Sequence, residues 1–247
     1  MTGARVLDAD LHFYFDPVCP FAWLTSTWVR QVIAAREYRV EWRLVSLRIM
    51  NSHIDYASHF PPEYEAGHNA GLRLLRVAAR ARREHGAAAL DPLQAATGEA
   101  MMERRPWADD LPMLDPAREV PFVEGILAEA GLPLDLAAAL HDECEDAEIR
   151  AETEAALALT GRDVGTPILH VDPPNGSAFF GPVISRRPSD AEAVELWDHV
   201  VALARFPGFS ELKRSLRERP QLRAYGVEPG DVGQVEDWHA GSRRLKR

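Results

Sequence analysis

Residues 11–23 read Leu11-His12-Phe13-Tyr14-Phe15-Asp16-Pro17-Val18-Cys19-Pro20-Phe21-Ala22-Trp23. The first five are aromatic-rich and run into Asp-Pro, the pattern of a short buried strand ending in a loop. Pro20 then opens a helix over 20–36, standing where its missing N–H costs nothing. Phe21, Leu24, Trp28, Val29, Val32 and Ile33 recur along one face of it at three- and four-residue spacings. Val40, Trp42 and Leu44 alternate with Glu41 and Arg43, the period-two signature of a strand. A β-α-β unit therefore closes by about residue 47.

From residue 61 to 161 the strand pattern is replaced by helix signals, at 62–85, 92–105, 116–130 stopped by Gly131, 134–143, and a last helix ending at Gly161. Strands return at 167–171 and 178–180, separated by the turn-dense Asp172-Pro173-Pro174-Asn175-Gly176. Helix 189–205 opens with Ser189 and Glu192 in capping-box spacing and aligns Val194, Trp197, Val200, Val201 and Ala204. Residues 206–247 are rich in Pro, Gly and Arg and are expected on the surface. The division predicted is a thioredoxin-like α/β domain from 1–60 and 161–214, a helical insertion at 61–160, and a C-terminal tail at 215–247.

The 247 residues carry 38 acids against 28 bases, a formal charge of −10. Such a surface repels the phosphates that dominate nucleic-acid affinity and disfavours anionic lipid, so neither nucleic acid nor membrane is expected as a partner. Met1–Asp10 has acids where an export signal needs an apolar run. The uncharged stretch Pro17–Val29 is short of the ~18 residues of a spanning helix. A cytoplasmic location follows, with thiols kept reduced.

There are two cysteines, too few for a disulfide scaffold or an all-cysteine metal site. Cys19 lies at the start of the first helix, where free N–H groups and the helix dipole favour negative charge. Its pKa is expected to fall from ≈ 8.5 into the ~3.5–7.5 range of such sites, giving a thiolate at neutral pH. Cys144 continues a helical stripe with Leu136, Leu140 and Ala147 and reads as core. His141 and Cys144 have ligand spacing but no further ligand nearby, so no metal is expected. Arg73, Arg76, Arg80, Arg82 and Arg83 form a basic helix face, read as solvated or as able to meet a carboxylate of a thiol cofactor. Phe21, Trp23, Phe60 and Tyr64 could line an apolar pocket for a flat electrophile, although Trp23 and Phe60 read equally as core.

The strand-helix-strand, helical insertion, strand-strand-helix order is thioredoxin-like. Phe15 through Trp23, Asp163-Val164-Gly165-Thr166-Pro167 and Phe179-Phe180-Gly181-Pro182 resemble the DsbA-like branch of that superfamily, and more narrowly the mycothiol-dependent nitroreductase family. The resemblance spans about 11–214 and includes Ser46-Leu47, Asn51, Leu90-Asp91-Pro92-Leu93 and Phe209 through Lys213. It implies an enzyme drawing electrons from mycothiol or a similar small thiol, with no metal and no flavin. It also implies that Cys19 is the nucleophile, with Pro20 beside it and Pro167 as a cis-proline following Thr166. Phe21, Ala22, Trp23, Asn51 and Tyr64 would meet the substrate, although by themselves Asn51 reads as a turn residue and Tyr64 as part of an amphipathic helix.

One departure matters. The family pattern is Cys-Pro-Trp-Cys, whereas here Cys19-Pro20-Phe21-Ala22 leaves Ala22 where a resolving thiol stands, so no disulfide can form within the motif. A redox enzyme of this sequence is monothiol and passes through a mixed disulfide resolved by a second small thiol. Its partners would be that thiol and an aromatic electrophile, such as a nitro compound, or a protein mixed disulfide, the enzyme being a monomer or homodimer. Two other readings remain open. One is a transferase or isomerase resembling kappa-class glutathione transferases and 2-hydroxychromene-2-carboxylate isomerases; the other is a non-catalytic binding protein on the same fold.

Overall fold

The computed structural model describes residues 9–104, 107, 111–214, 216–228, 231 and 235–237. The N-terminal stretch read for an export signal lies outside them except for its last two residues, as does most of the final third of the tail.

Strand β1 (Leu11–Phe15), helix α1 (Pro20–Ala35) and β2 (Val40–Leu44) form the expected unit, with β1 and β2 parallel. The chain then makes two single-turn helices that periodicity could not announce, α2 (Leu47–Met50) and α3 (Tyr56–His59). Each starts on a side-chain cap, Ser46 Oγ accepting from Ile49 N and Asp55 Oδ1 from Ala57 N. Helices α4 (Pro62–His85), α5 (Leu90–Gly98), α6 (Glu119–Glu129) and α7 (Asp146–Thr160) follow. Strands β3 (Ile168–Val171) and β4 (Ser177–Phe180) and helix α8 (Asp190–Arg205) complete the core, and β5 (Leu216–Glu218) pairs antiparallel with β6 (Val235–Asp237). Ser189 and Glu192 make the capping box of α8.

The main sheet has the order β2-β1-β3-β4, with β3 antiparallel to β1 and β4 antiparallel to β3. This is the thioredoxin-like arrangement. One face presents Leu11, Phe13, Phe15, Trp42, Leu44 and Leu169 to the main core, beside α1 and α8. There Trp28 meets Trp197 edge to face at 5.4 Å and donates its Nε1–H to Ala193 O at 2.8 Å. The opposite face packs Tyr14 and Ile168 against Ala156 and Leu157 of α7. The main core continues without a break into the insertion through Leu74, Leu75, Leu90, Met101, Met102 and Leu127. Among the described residues no helix is long and apolar enough to cross a membrane.

Two expectations are corrected. Residues 134–141 wind as a 3-10 helix, and a new turn starts at Asp142, whose side chain accepts from Cys144 N at 3.1 Å. With three residues per turn instead of 3.6, the stripe that begins at Leu136 and Leu140 loses phase. Cys144 and Ala147 face out and Glu145 takes the buried place. The arginine face of α4 is likewise not free. Arg73 pairs with Glu119, Arg76 with Asp146, Arg80 with Asp142 and Glu145, Arg82 with Glu148 and Glu152, and Arg83 with Glu145. These residues bind the insertion to itself.

Part of the tail docks instead of only lying over the surface. Leu222 and Ala224 are buried, and Ala224 O accepts from Trp107 N at 3.0 Å.

Candidate active site

Asp16 ends β1 and builds the turn that carries the thiol. Its Oδ1 accepts from Val18 N at 3.0 Å, its Oδ2 from Leu47 N at 2.8 Å, and its carbonyl from Cys19 N at 3.0 Å. Cys19 thereby becomes the N-cap of α1, its Sγ accepting from Ala22 N at 3.4 Å, with Pro20 in the first turn. On its other side the thiol donates to Thr166 O at 3.4 Å. The Thr166–Pro167 peptide is cis, the isomer the resemblance implied, and Pro167 O accepts from Gly181 N at 2.9 Å.

Cys19 opens onto a cleft of about 230 Å3, counting its mouth. The thioredoxin-like side contributes Phe15, Asp16, Pro17, Ala22 and Trp23; α5 contributes Gln94, Thr97 and Gly98. Gln94 is fixed by donating to Ser26 Oγ at 2.9 Å and accepting from Arg30 Nη2 at 2.7 Å. Trp23 donates its Nε1–H to Glu103 Oε1 at 2.8 Å, in the π-helical turn Glu99–Glu103 that follows α5. That ring lies directly on Gly98, where an added Cβ would stand 1.9 Å from Trp23 Cε3. Gly98→Ala is therefore expected to displace Trp23 and to destabilise the fold by roughly 1–3 kcal/mol, read as a lowered urea midpoint with a changed tryptophan emission.

The expected thiolate is not what this geometry gives. Cys19 is only 7% exposed, and burial pushes the thiol up to about 11. The Thr166 side chain and the Ala22 backbone N–H pull it down, and the Asp16 charge adds to the rise. Desolvation of the anion outweighs the cap. Burial also pushes the Asp16 carboxyl up to about 7, against the two backbone donors that hold it.

The structure gathers Cys19, Pro20, Ala22, Trp23 and the Thr166-Pro167 peptide in one place. Three other predicted site residues do not line the cleft. Phe21 is half-buried against the core. Asn51 caps α2, its Nδ2 donating to Leu47 O at 2.8 Å. Tyr64 stacks on Phe60 at 5.4 Å, within an aromatic cluster where Tyr56 Oη meets His68 Nδ1 at 2.9 Å. His141 pairs with Glu119 at 2.9 Å, and among the described residues no group of His, Cys, Asp and Glu is arranged to hold a metal. Asp16, Gln94, Thr97 and Gly98 are cleft residues that the sequence reading did not assign; an acid closing an apolar strand and a glycine inside a helix were the available signals.

Residues 18–214 match the family described as "Rv2466c-like: Mycothiol-dependent nitroreductase Rv2466c". The chain belongs to that family. It is also 33% identical over 205 residues to the uncharacterized protein Rv2286c of Mycobacterium tuberculosis (strain ATCC 25618 / H37Rv), covering 82% of this chain and 80% of that protein. Membership and sheet topology agree on a thioredoxin-like α/β fold, and the family match includes the motif with Cys19 as well as the whole insertion.

Proposed function

We propose that this family member is a mycothiol-type thiol oxidoreductase that works through Cys19 alone. The observation that carries the reading is Cys19 at the helix start, facing a cleft and touching Thr166, with Ala22 and not a second thiol one turn on. Cys144, the other cysteine, sits exposed in the insertion and does not line the cleft. In the forward step the Cys19 sulfur attacks a disulfide sulfur and expels the other as thiolate, leaving a mixed disulfide on Cys19. A second small thiol attacks the outer sulfur and frees Cys19. Small aromatic electrophiles, nitro compounds included, are the other substrates the reading admits.

The cleft also bears on which thiol fits. Among the described residues no cation lines it, and the arginines of α4 are committed to carboxylates. Glutathione brings two carboxylates that would need partners; mycothiol, a neutral polyol thiol, brings none. The neutral polar groups of Gln94, Thr97 and Thr166 O suit it, which favours this reading over a glutathione transferase. Incubation with mycothiol disulfide is expected to add one mycothiol to Cys144→Ser protein, seen by intact mass, and none to Cys19→Ser/Cys144→Ser. An unmodified Cys19 after prolonged incubation would sink the proposal.

A further inference from the structure

Helix α5 lines the cleft with Gln94, Thr97 and Gly98, which share one face at i, i+3 and i+4 spacing. That face lies against α1, the helix that Cys19 caps: Gln94 Nε2 is 2.9 Å from Ser26 Oγ, and the Trp23 ring covers Gly98. Its hydrogen bonds fix what it offers a ligand. Arg30 Nη2, 2.7 Å from the Gln94 side-chain oxygen, can only donate. Ser26 Oγ gives its own hydrogen to Trp23 O at 2.7 Å, so it accepts from the Gln94 amide. Asp91 in turn holds Arg30 at 2.6 Å. The Gln94 amide therefore cannot flip, and one of its N–H groups is left uncommitted.

Thr97 supplies a second group. It is buried, yet its hydroxyl makes no hydrogen bond among the described residues. Thr153, also buried in a helix, instead bonds back to Ile149 O at 2.8 Å. Thr97 thus brings an unclaimed hydroxyl to the wall of the cleft. A fixed N–H donor beside a free hydroxyl, with no cation lining the cleft among the described residues, matches a carbonyl oxygen and an N–H. An amide carries both. In a thiol built on an N-acylated cysteine, as mycothiol is, an amide stands a few bonds from the sulfur, so a sulfur joined to Cys19 brings it into the same cleft. The cleft of about 230 Å3, counting its mouth, equals about eight waters at ~30 Å3 each. That is room for the cysteinyl part of such a thiol and not for a sugar beyond it.

We propose that α5 is the wall that reads the thiol: the Gln94 N–H donates to the carbonyl, and the Thr97 hydroxyl accepts from the N–H, of the cysteinyl amide bound beside Cys19. The inference rests on the thiol-exchange reading above. It names the part of the thiol that is selected, a neutral acylated cysteine.

Two disulfides separate this selection from plain thiol reactivity. In Cys144→Ser protein, adduct formation on Cys19 is followed by intact mass with the disulfide of N-acetylcysteine amide and with 2-hydroxyethyl disulfide, which is neutral and has no amide. Each rate is divided by that of the same disulfide with a small thiol in solution. The parent is expected to favour the amide disulfide about tenfold, the effect of one hydrogen bond. Thr97→Val, of nearly the same shape, should lose that preference, and so should Gln94→Glu, which still accepts from Arg30 but has no N–H to give. Thr97→Ser keeps the hydroxyl and should keep the preference. A loosened site or an added charge would change both rates together and leave their ratio alone. Two separate substitutions keep the test open if one of them does not fold. Equal rates in the parent, or a preference that survives either Thr97→Val or Gln94→Glu, would overturn the role of α5 and leave the exchange reading standing. If methyl methanethiolsulfonate labels Cys19 while neither disulfide does, the exchange reading falls and this inference with it.

Discussion

Ala22→Cys is expected to stop the mixed disulfide from accumulating, cutting the yield of the Cys19–mycothiol adduct at least tenfold and replacing it with a disulfide between positions 19 and 22. The two positions are already in contact, Ala22 N donating to Cys19 Sγ at 3.4 Å. Residues three apart at the start of a helix bring their Cβ atoms to about 5–6 Å, close enough for small side-chain shifts to reach disulfide geometry. A thiol held there acts at an effective concentration far above that of any small thiol in solution, so it takes the adduct apart before a second mycothiol arrives. The replacement adds one sulfur at a site that is buried but borders the cleft, so the fold should tolerate it. Intact mass under non-reducing conditions distinguishes the states: a gain of one mycothiol in the parent, a loss of two hydrogens in the variant. Persistence of the adduct in Ala22→Cys would mean that position 22 cannot reach the outer face of Cys19 in the mixed disulfide. The monothiol mechanism would then not be explained by the absent cysteine.

The sheet and its flanking helices were legible because each rests on a local pattern. Trp42 and Leu44 alternate with Glu41 and Arg43 on β2, and Ser189 with Glu192 marks the start of α8. The position of Cys19 was legible for the same reason, since Pro20 and the aromatic strand before it fix where α1 begins. Its ionisation was not. The cap is a local effect, whereas the burial that overrides it comes from α5 and the Thr166 loop, 70 to 150 residues away in the chain. Cys144 shows a different limit: a stripe drawn at 3.6 residues per turn fails once the chain winds at 3.0, and nothing apolar marks that change. The α4 arginines read as a solvated face until the acids of α7 and the turns before it are brought opposite them. Asp16 stood inside the quoted motif and read as a loop residue; that its carboxyl is enclosed depends on Gly71 and Leu47, which sequence proximity does not place beside it.

Enclosure of Asp16 also predicts that it opposes folding as pH rises. In the unfolded chain the carboxyl releases its proton near 3.8, while in the fold it keeps it to about 7. Below the lower value both states carry the proton and nothing is lost. Between the two the folded state binds more protons, so stability falls with rising pH by about 1.4 kcal/mol per unit, roughly 4 kcal/mol in all by neutral pH. Carboxylates held down in the fold, such as Asp172 by Arg205 and Glu192 by Ser189, contribute with the opposite sign. They cancel when parent and Asp16→Asn are compared at the same pH. While protonated, the Asp16 carboxyl resembles Asn in offering one carbonyl acceptor and one donor group to the two backbone N–H groups, so the two proteins differ little near pH 4. Urea unfolding should therefore show parent and Asp16→Asn close together near pH 4 and the parent losing several kcal/mol relative to the variant by pH 8. A difference that stays flat from pH 4 to 8 would mean the folded carboxyl ionises at its ordinary value. A carboxyl needed only to cap a turn would be stabilising in its ionised form. One that weakens the fold near pH 7 is instead held there by enclosure, between its two protonation states.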